Sequence, residues 1–288
     1  MRGFQKKVIA ITGAGGGIGS ALAREFANTG AHLALSDINT DAISTLADEL
    51  RKTGTEVSTV ALDVRNHEAF CDWANTIVKE FGQVDVLINN AGVTSWGTFE
   101  HQTIQDVRWL LDINLGGVMN GCNAFLPHLR AVGGGHIVNI SSMAALMAIP
   151  MQSTYAASKW AVRGFSRCLR IELGPRNIGV TAILPGTIAT PFLKRARTDD
   201  SRGTNRMAEL MMRFGTSPEC VARAVARSIQ RNRGETFVGW DSRLVALFER
   251  FLPGLVSFII NGLYPRLAPK GKLQVDRDTG KSLPSENK

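Results

Sequence analysis

Short apolar segments alternate with amphipathic helical patterns along the first half of this 288-residue chain. Five segments have the composition of buried strands, at residues 8–11, 31–36, 57–62, 84–88 and 136–140. Between them, apolar side chains recur every three or four residues, as they do on the buried face of a helix. This alternation predicts an α/β domain built on a doubly wound parallel sheet of about seven strands, with helices on both faces.

The later part of the chain continues this pattern and then becomes more apolar. We expect a long helix at about residues 103–129, another at residues 218–231 and a last strand at residues 236–238. Beyond residue 240, apolar side chains at helical spacing precede a nearly continuous apolar run that is too short to span a bilayer. The chain therefore divides into a single domain at residues 1–240, an apolar helical extension at residues 241–267, and a polar tail at residues 268–288 that we expect to be disordered.

A glycine-rich turn, Thr-Gly-Ala-Gly-Gly-Gly-Ile-Gly at residues 12–19, joins the first strand to the first helix. Glycines permit a tight turn and let backbone N–H groups approach a phosphate at the start of a helix. The second strand ends at Asp37, which can bind the hydroxyls of an adenosine ribose and would repel a 2′-phosphate. Because no Lys or Arg adjoins Asp37, the sequence favours NAD over NADP. The alternative is that Asp37 only opens a turn with Asn39.

Tyr155 and Lys159 are spaced to lie on one face of a helix, so the phenol and the ammonium point into the same space. A nearby cation favours the ionised form of a phenol and lowers its pKa, which would suit Tyr155 to proton transfer at a carbinol or carbonyl oxygen. The pair alone is equally compatible with an ordinary amphipathic helix surface.

Two further polar features stand out against apolar surroundings. Asn114 lies within the apolar run of the predicted long helix, so it is either a structural hydrogen-bond hub or the holder of a water molecule, and its spacing alone favours the structural role. Ser141 and Ser142 follow the strand at residues 136–140, at the end of a parallel sheet where ligands bind.

Composition argues against several kinds of site. The four cysteines form no C-x-x-C pair and the five histidines have no metal-ligand spacing, so we expect free thiols in a reducing compartment and no metal site. The N-terminal apolar run is too short for a signal-peptide core, which favours a cytoplasmic location. Residues 1–190 hold 15 basic and 15 acidic side chains, so the net charge of +8 comes from residues 191–288, which hold 18 and 10. A basic final third suits an anionic membrane or substrate carrier, or is simply a solvated face.

The chain resembles the short-chain dehydrogenase/reductase family in the order and spacing of its motifs. These are the turn at residues 12–19, which fits the family's T-G-x-x-x-G-x-G, then Asn89-Asn90-Ala91-Gly92, Asn114, Ser141-Ser142 and Tyr155-x-x-x-Lys159. The resemblance spans residues 6–240 and implies a Rossmann-type fold. It also implies hydride transfer between a nicotinamide cofactor and a hydroxyl or carbonyl carbon.

This resemblance implies a role for each motif residue. Tyr155 would be the general acid/base, and Lys159 would bind the nicotinamide ribose and lower the pKa of Tyr155. Ser142 would hydrogen-bond the substrate oxygen, Asn114 would hold a water that links Lys159 to solvent, and Ser141 would be structural. The implied cofactor-binding positions are Gly13, Gly17, Ile18, Gly19, Asp37, Asp63, Val64, Asn90, Ala91, Gly92, Tyr155, Lys159, Pro185, Gly186, Thr187 and Thr190. Asp63 would contact adenine, and the turn from Pro185 would lie beside the nicotinamide carboxamide.

Three loops are expected to shape a substrate pocket, at residues 93–99, 143–154 and 187–214. They carry little fixed charge, and their candidate substrate contacts are Trp96, Met143, Met147, Ile149 and Phe192. A pocket of this kind suits a lipid-, steroid- or retinoid-like alcohol or ketone. The alternative is that about half of these side chains belong to the core. The polar stretch at residues 194–203 is typical of a loop and could act as a mobile lid.

The sequence thus favours an NAD(H)-dependent oxidoreductase acting on an apolar small molecule in lipid metabolism. The alternatives are an NADP(H)-dependent carbonyl reductase and a non-catalytic dinucleotide-binding regulator. We expect a dimer or tetramer and no nucleic-acid partner. Residues 241–267 would form a subunit contact or a lid, or less favourably a peripheral contact with a membrane.

Overall fold

A computed structural model of the chain describes residues 3–198, 201–252 and 254–267. Its strands are β1 (Val8–Thr12), β2 (His32–Asp37), β3 (Val57–Ala61), β4 (Val86–Asn89), β5 (Ser95–Trp96), β6 (Gly135–Ile140), β7 (Ile178–Pro185), β8 (Arg197–Thr198) and β9 (Glu235–Val238). Seven of them form one sheet in the order β3-β2-β1-β4-β6-β7-β9, and each neighbouring pair is parallel. The predicted doubly wound parallel sheet is confirmed.

Helices cover both faces of this sheet. They are α1 (Gly17–Ala27), α2 (Thr40–Arg51), α3 (His67–Phe81), α4 (Ile104–Leu111), α5 (Gly117–Ala131), α6 (Ser153–Leu173), α7 (Ser201–Phe214), α8 (Pro218–Gln230), α9 (Trp240–Phe251) and α10 (Leu255–Leu267). Apolar side chains of α1, α2 and α8 form the core on one face, and those of α3, α5 and α6 form the core on the other. In β1, Ile9 and Ile11 enter the first core while Val8 and Ala10 enter the second, because side chains alternate along a strand.

The long helix predicted at residues 103–129 is present but contains an irregularity. Between α4 and α5, residues Asp112–Gly116 form a π-helical segment, in which each turn holds an extra residue. Asn114 lies in this segment and is fully buried.

The segment after β7 contains more regular structure than the predicted loop. Leu193–Arg195 form a short 3-10 helix, β8 pairs with β5, and Ser201 begins α7. On α7, Ala208 is buried while Phe214 is 67% exposed, so much of the surface of this helix faces solvent. Two other features were not located from the sequence: the eight-residue strand β7, and the two-residue pairing of β5 with β8.

The C-terminal helices begin in contact with the sheet and end on an apolar surface. The Ser242 hydroxyl donates a hydrogen bond to the Leu184 carbonyl at 2.7 Å, and Val245 packs against the apolar cluster beneath it. Farther along, Phe251 is 66% exposed and Phe258 is 76% exposed. Within the described ranges, no single helix is long and apolar enough to cross a membrane, although α9 and α10 together, bent by 116°, have the length and composition. The predicted disordered tail at residues 268–288 lies outside the described residues.

Candidate active site

The carboxyl edge of the sheet brings together the four side chains expected to be catalytic. Ser142 follows β6, Tyr155 and Lys159 lie in the first turns of α6, and Asn114 reaches the same place from the π-helical segment. Gly92, just after β4, lies between two of them: a Cβ atom there would be 3.3 Å from Asn114 Oδ1 and 3.5 Å from Lys159 Nζ. Ligands bind at this edge of parallel sheets.

An apolar cluster surrounds the Tyr155 ring. Leu110 and Ala144 are buried in this cluster with Tyr155, and Ile149 and Phe192 pack against it with partial exposure. The ring centroids of Tyr155 and Phe192 are 6.1 Å apart. Because the cluster comes from α4, the segment before α6 and the segment after β7, these three parts of the chain jointly keep water away from the phenol.

The pKa of Tyr155 is shifted in the direction opposite to the one that the sequence predicts. Burial raises it from 10 to about 12, and a hydrogen bond with Ser142 only partly offsets the rise. The Lys159 ammonium lies 5.7 Å from the centre of the Tyr155 ring and donates a hydrogen bond to the Ile140 carbonyl at 3.0 Å. The expected lowering of the phenol pKa by Lys159 is therefore wrong for this structure, because loss of hydration dominates.

Lys159 is itself shifted by burial. Its side chain is 4% exposed, and desolvation lowers its pKa from 10.5 to about 8. Ser141 secures the backbone at this point, since its hydroxyl donates to the Lys159 carbonyl at 2.8 Å. Ser141 thus has a structural contact, in keeping with the role that the resemblance implies for it. Ser142 instead begins the 3-10 helix after β6, where its Oγ accepts a hydrogen bond from the Ala144 N–H at 3.1 Å.

Asn114 is a hydrogen-bond hub between three segments. Its Oδ1 accepts the Val93 N–H at 2.8 Å, and its Nδ2 donates to the Val93 carbonyl at 3.0 Å and to Ser158 Oγ at 3.1 Å. The Ser158 hydroxyl donates in turn to the Tyr155 carbonyl at 2.7 Å. The amide therefore ties the loop after β4 to α6, close to both Tyr155 and Lys159.

The glycine turn forms a cradle that side chains would fill. A Cβ at Gly13, whose φ is +65°, would lie 2.8 Å from Ala91 Cα, and one at Gly17 would lie 2.6 Å from the Thr190 methyl. A Cβ at Gly19 would lie 2.1 Å from the Gly13 carbonyl. No side chain caps the start of α1, and its first turn holds no acidic residue. An uncapped helix N-terminus beside a glycine turn fits the pyrophosphate of a dinucleotide.

Asp37 is held at the turn, beside the place expected for the adenosine ribose. Its Oδ2 accepts the Gly15 N–H and its Oδ1 accepts the Asn39 N–H, each at 2.9 Å. The link to Gly15 shows that Asp37 does more than open a turn with Asn39. Asp63 lies two residues after β3, and hydrogen bonds from Arg65 lower its pKa.

A second turn, after β7, adjoins the glycine cradle through Thr190. The Gly186 N–H donates to the Val238 carbonyl at 2.8 Å, and the Thr187 N–H donates to Asp241 Oδ2 at 2.6 Å. The N–H groups of residues 189 and 190 donate hydrogen bonds to backbone carbonyls of the same region. Among the described residues, the Ile188 N–H has no acceptor, so it is the backbone donor of this turn that remains for a ligand. The sequence predicts this turn as a cofactor contact but does not point to Ile188. A backbone N–H is shared by nearly all residue types, so it cannot be recognised from the identity of the residue.

The sequence pattern of the short chain dehydrogenase family matches residues 7–201. The chain belongs to this family.

Relatives with established names or structures agree with this assignment. SadH of Mycobacterium tuberculosis, named as an oxidoreductase, is 37% identical over 275 residues, which are 94% of this chain and 97% of SadH. A short-chain dehydrogenase/reductase from Burkholderia phymatum, solved in complex with NAD, is 28% identical with a TM-score of 0.79, covering 95% of this chain and 99% of its own. An alcohol dehydrogenase from Thermococcus sibiricus, complexed with 5-hydroxy-NADP, is 29% identical with a TM-score of 0.69, covering 80% and 95%. The chain is thus an oxidoreductase of the short-chain dehydrogenase family, whose solved members include complexes with both cofactor types.

The five candidate substrate contacts of this short-chain dehydrogenase do not all gather at Tyr155. Ile149 and Phe192 pack in the cluster around it. Met143 packs instead against a separate apolar cluster that includes Val245 of α9. Trp96 lies in β5, where its buried indole N–H has no hydrogen-bond partner within the described part of the chain, and Met147 is half-buried. The alternative that some of these residues serve packing therefore applies to Met143.

Arg197 holds the segment before α7 against α4. Its Nη1 donates a hydrogen bond to Asp106 Oδ1 at 2.5 Å, and its guanidinium carbon lies 3.7 Å from the centre of the Trp109 indole. Its backbone N–H also donates to the Thr94 carbonyl at 3.3 Å. The sequence showed Arg197 only as one charge in a polar stretch, since its partners are about 90 or more residues away.

Hydrogen bonds between buried side-chain amides stabilise the part of the sheet that carries the site. Asn89 Nδ2 donates to Asn139 Oδ1 at 2.9 Å, and Asn139 Nδ2 donates to Ser166 Oγ at 2.9 Å. These bonds join β4, β6 and α6, so the motif that begins at Asn89 stabilises the sheet beneath the site. A Cβ at Gly121 would lie 2.3 Å from Asn89 Oδ1, so α5 must present a glycine there.

A cavity of about 400 Å³ lies at the opposite end of the sheet, lined by Lys7, Asp85 and His136 among others. Its charged groups are already paired, since Asp85 accepts from Lys7 Nζ and from the Val8 N–H, each at 2.9 Å. It lies at the amino ends of β1 and β6 and takes no part in the site around Tyr155. No group of three or more metal-binding side chains comes together within the described ranges.

Proposed function

We propose that this chain is an NAD(H)-dependent oxidoreductase that interconverts a carbonyl and a hydroxyl on an apolar small molecule, with a lipid-, steroid- or retinoid-like alcohol or ketone as its substrate. The observation that carries this proposal is the buried Tyr155, one helical turn from Lys159 and surrounded by apolar side chains. An uncharged cluster around an acid/base group favours a substrate without charge near its reacting carbon.

The bound cofactor would supply or accept the hydride. In the direction of carbonyl reduction, the Tyr155 hydroxyl donates its proton to the substrate oxygen, and the Ser142 hydroxyl donates a hydrogen bond to the same oxygen. Lys159 lies beside Tyr155 and would bind the nicotinamide ribose. With a pKa near 8, its ammonium can also release a proton near physiological pH, and Asn114 holds the surrounding backbone in place.

Burial keeps Tyr155 in its protonated form, which is the form that would donate a proton in carbonyl reduction. With a pKa of about 12, only about one phenol in 10⁵ is ionised at pH 7. Reduction needs the protonated phenol, whereas oxidation of an alcohol needs the phenolate as proton acceptor.

The choice of NAD over NADP rests on Asp37. Its carboxylate is fixed at the glycine turn by the Gly15 N–H, where it would accept hydrogen bonds from ribose hydroxyls and repel a 2′-phosphate. The remaining cofactor contacts would come from the cradle at Gly13, Gly17 and Gly19 and from the turn after β7. An NADP(H)-dependent carbonyl reductase would keep the same proton chemistry.

The test is absorbance change of NADH and NADPH with ketones and secondary alcohols of increasing chain length and ring number. Wild type is compared with Tyr155→Phe and with Tyr264→Phe, which alters the only other tyrosine and serves as control. Turnover that is lost in Tyr155→Phe and kept in Tyr264→Phe supports the mechanism. Tight NADH binding without turnover on the whole panel would favour the non-catalytic regulator, and full activity of Tyr155→Phe would refute the role of the phenol.

The exposed apolar surface of α9 and α10 supports a homo-oligomer, a dimer or tetramer, that uses this surface. Phe251, Leu252 and Phe258 are each more than half exposed, and members of the family are commonly oligomeric. Sedimentation of wild type and Phe258→Ser tests this: the variant should dissociate. Co-sedimentation of wild type with anionic liposomes, lost in the variant without a change in oligomeric state, would instead assign the surface to a membrane.

A further inference from the structure

The carboxylate of Asp241 lies directly against the turn after β7. Asp241 belongs to the first turn of α9, 54 residues beyond Thr187, yet its Oδ2 accepts the Thr187 N–H at 2.6 Å. Its Oδ1 accepts the N–H of the next residue, Ser242, at 2.8 Å. A negative charge is favoured at this position, because the N-terminus of a helix carries a partial positive charge.

Two glycines make room for this carboxylate. A Cβ at Gly186 would lie 1.9 Å from Asp241 Oδ1 and 2.4 Å from its Oδ2. A Cβ at Gly239 would lie 2.5 Å from Oδ1, and Gly239 also has a φ of +97°, which favours glycine. The backbone on both sides of the carboxylate is thus shaped around it, which an incidental surface contact would not require.

The bond from Thr187 fixes the orientation of the peptide group at the start of the turn. The Thr187 carbonyl accepts the Thr216 N–H at 2.8 Å, so both polar backbone groups of Thr187 are engaged. With its neighbours bound in this way, the turn leaves the Ile188 N–H free of any acceptor in the described residues. Asp241 therefore decides which backbone donor of the turn faces a ligand.

The Ser242 side chain ties the start of α9 to the sheet through a bond of its own, separate from the contacts of Asp241. Ser242 is fully buried, and its hydroxyl donates to the Leu184 carbonyl of β7 at 2.7 Å. The start of α9 is therefore bonded both to the end of β7 and to the turn that follows it.

We propose that Asp241 is a positioning residue that holds the turn at Gly186 and Thr187 in the conformation that receives the nicotinamide end of the cofactor. The inference rests on the proposed function, because it takes the cofactor to be a nicotinamide dinucleotide with its carboxamide at this turn. It gives the C-terminal helices a part in cofactor binding that residues 1–240 alone would lack.

The experiment compares the binding of NADH with that of ADP-ribose, which lacks the nicotinamide, by titration calorimetry on the full chain. Asp241→Asn keeps the shape of the side chain but removes its charge and one of its two acceptors. We expect it to weaken NADH binding about tenfold or more, as for loss of a charged hydrogen bond, and to leave ADP-ribose binding within about twofold. The matched control is Ser242→Ala, which loses a buried hydrogen bond of the same helix start without touching the turn, and it should leave the ratio of the two affinities unchanged.

The outcomes separate this inference from the proposed function. Equal weakening of NADH and ADP-ribose in Asp241→Asn would indicate general damage and would overturn the positioning role, as would unchanged binding of both. A shift in the affinity ratio in Ser242→Ala as large as that in Asp241→Asn would also overturn it. Wild type that binds neither NADH nor NADPH would refute the proposed function, and the inference with it.

Discussion

Replacement of Lys159 by methionine would remove a charge from the site while keeping a flexible apolar side chain with a similar helix propensity. Lys159 is 4% exposed, and burial lowers its pKa from 10.5 to about 8. Each pKa unit corresponds to about 1.4 kcal/mol, so the charged form is destabilised in the folded protein by about 3 kcal/mol. Loss of the hydrogen bond to the Ile140 carbonyl would cost about 1 kcal/mol. At pH 7 the variant should therefore be more stable than wild type by about 2 kcal/mol, although its activity should be lost.

The sign of the pH dependence follows from the direction of the shift. Below pH 8, Lys159 is charged in both the folded and the unfolded chain, so wild type bears the full cost of burying the charge. Between the folded pKa of about 8 and the unfolded pKa of 10.5, the folded protein binds fewer protons than the unfolded chain, so the stability of wild type rises with pH. The advantage of Lys159→Met should consequently fall from about 2 kcal/mol at pH 7 to about zero at pH 10.

Urea unfolding of both proteins at pH 7 and pH 10 measures this difference directly. Other titrating groups are shared by the two proteins, so their effects cancel in the comparison. Lys79→Met is the control, since Lys79 is exposed on α3 and its replacement should change stability little at either pH. A Lys159→Met variant that is less stable than wild type at pH 7, or equally more stable at both pH values, would refute the reasoning.

Three further predictions concern cofactor choice, proton transfer and packing. Asp37→Asn should lower the preference for NADH over NADPH by about tenfold or more, because the repulsion of a 2′-phosphate is removed, as Kd values for both cofactors would show. The rate of carbonyl reduction should fall as pH rises above 8, where Lys159 loses its proton. The rate of alcohol oxidation should instead rise with pH, because oxidation needs ionised Tyr155, and pH–rate profiles in both directions test this. Gly121→Ala should destabilise the protein by about 2 kcal/mol or more, since its Cβ would meet a buried amide oxygen at 2.3 Å, whereas Gly164→Ala, in open space on α6, should stabilise it by about 0.5–1 kcal/mol; both are measured by urea unfolding.

Local patterns were enough to predict the sheet and where the motif residues lie on it. Apolar strands, helical spacing and the glycine turn each depend on only a few neighbouring residues. The sequence alone therefore predicts the parallel sheet and the order of its motifs. The position of Tyr155 on a helix with Lys159 one turn later was equally local. These predictions succeeded because the physics behind them acts between near neighbours in the sequence.

Properties that depend on distant contacts could not be predicted in this way. The pKa of Tyr155 depends on desolvation by side chains as far away as Leu110 and Phe192, and the sequence gives no measure of that burial. Asp241 is separated from Thr187 by 54 residues, and nothing in its neighbourhood distinguishes it from an ordinary helix-start acid. Helix α7 was mistaken for a loop because an exposed helix can be as polar as a loop.

The same burial acts on both titrating groups of the site and determines which of their protonation states is populated. It raises the pKa of Tyr155 and lowers that of Lys159, so each group is pushed toward its neutral form. Near pH 8 the phenol still holds its proton and about half of the ammonium groups do, so a carbonyl substrate meets a ready proton donor. Oxidation of an alcohol at that pH would first have to ionise a phenol with a pKa of about 12, at a cost of about 5 kcal/mol. The apolar cluster thus keeps the phenol protonated, and a substitution that admits water beside it, such as Phe192→Ser, should lower the pKa of Tyr155 and move the pH dependence of alcohol oxidation to lower pH.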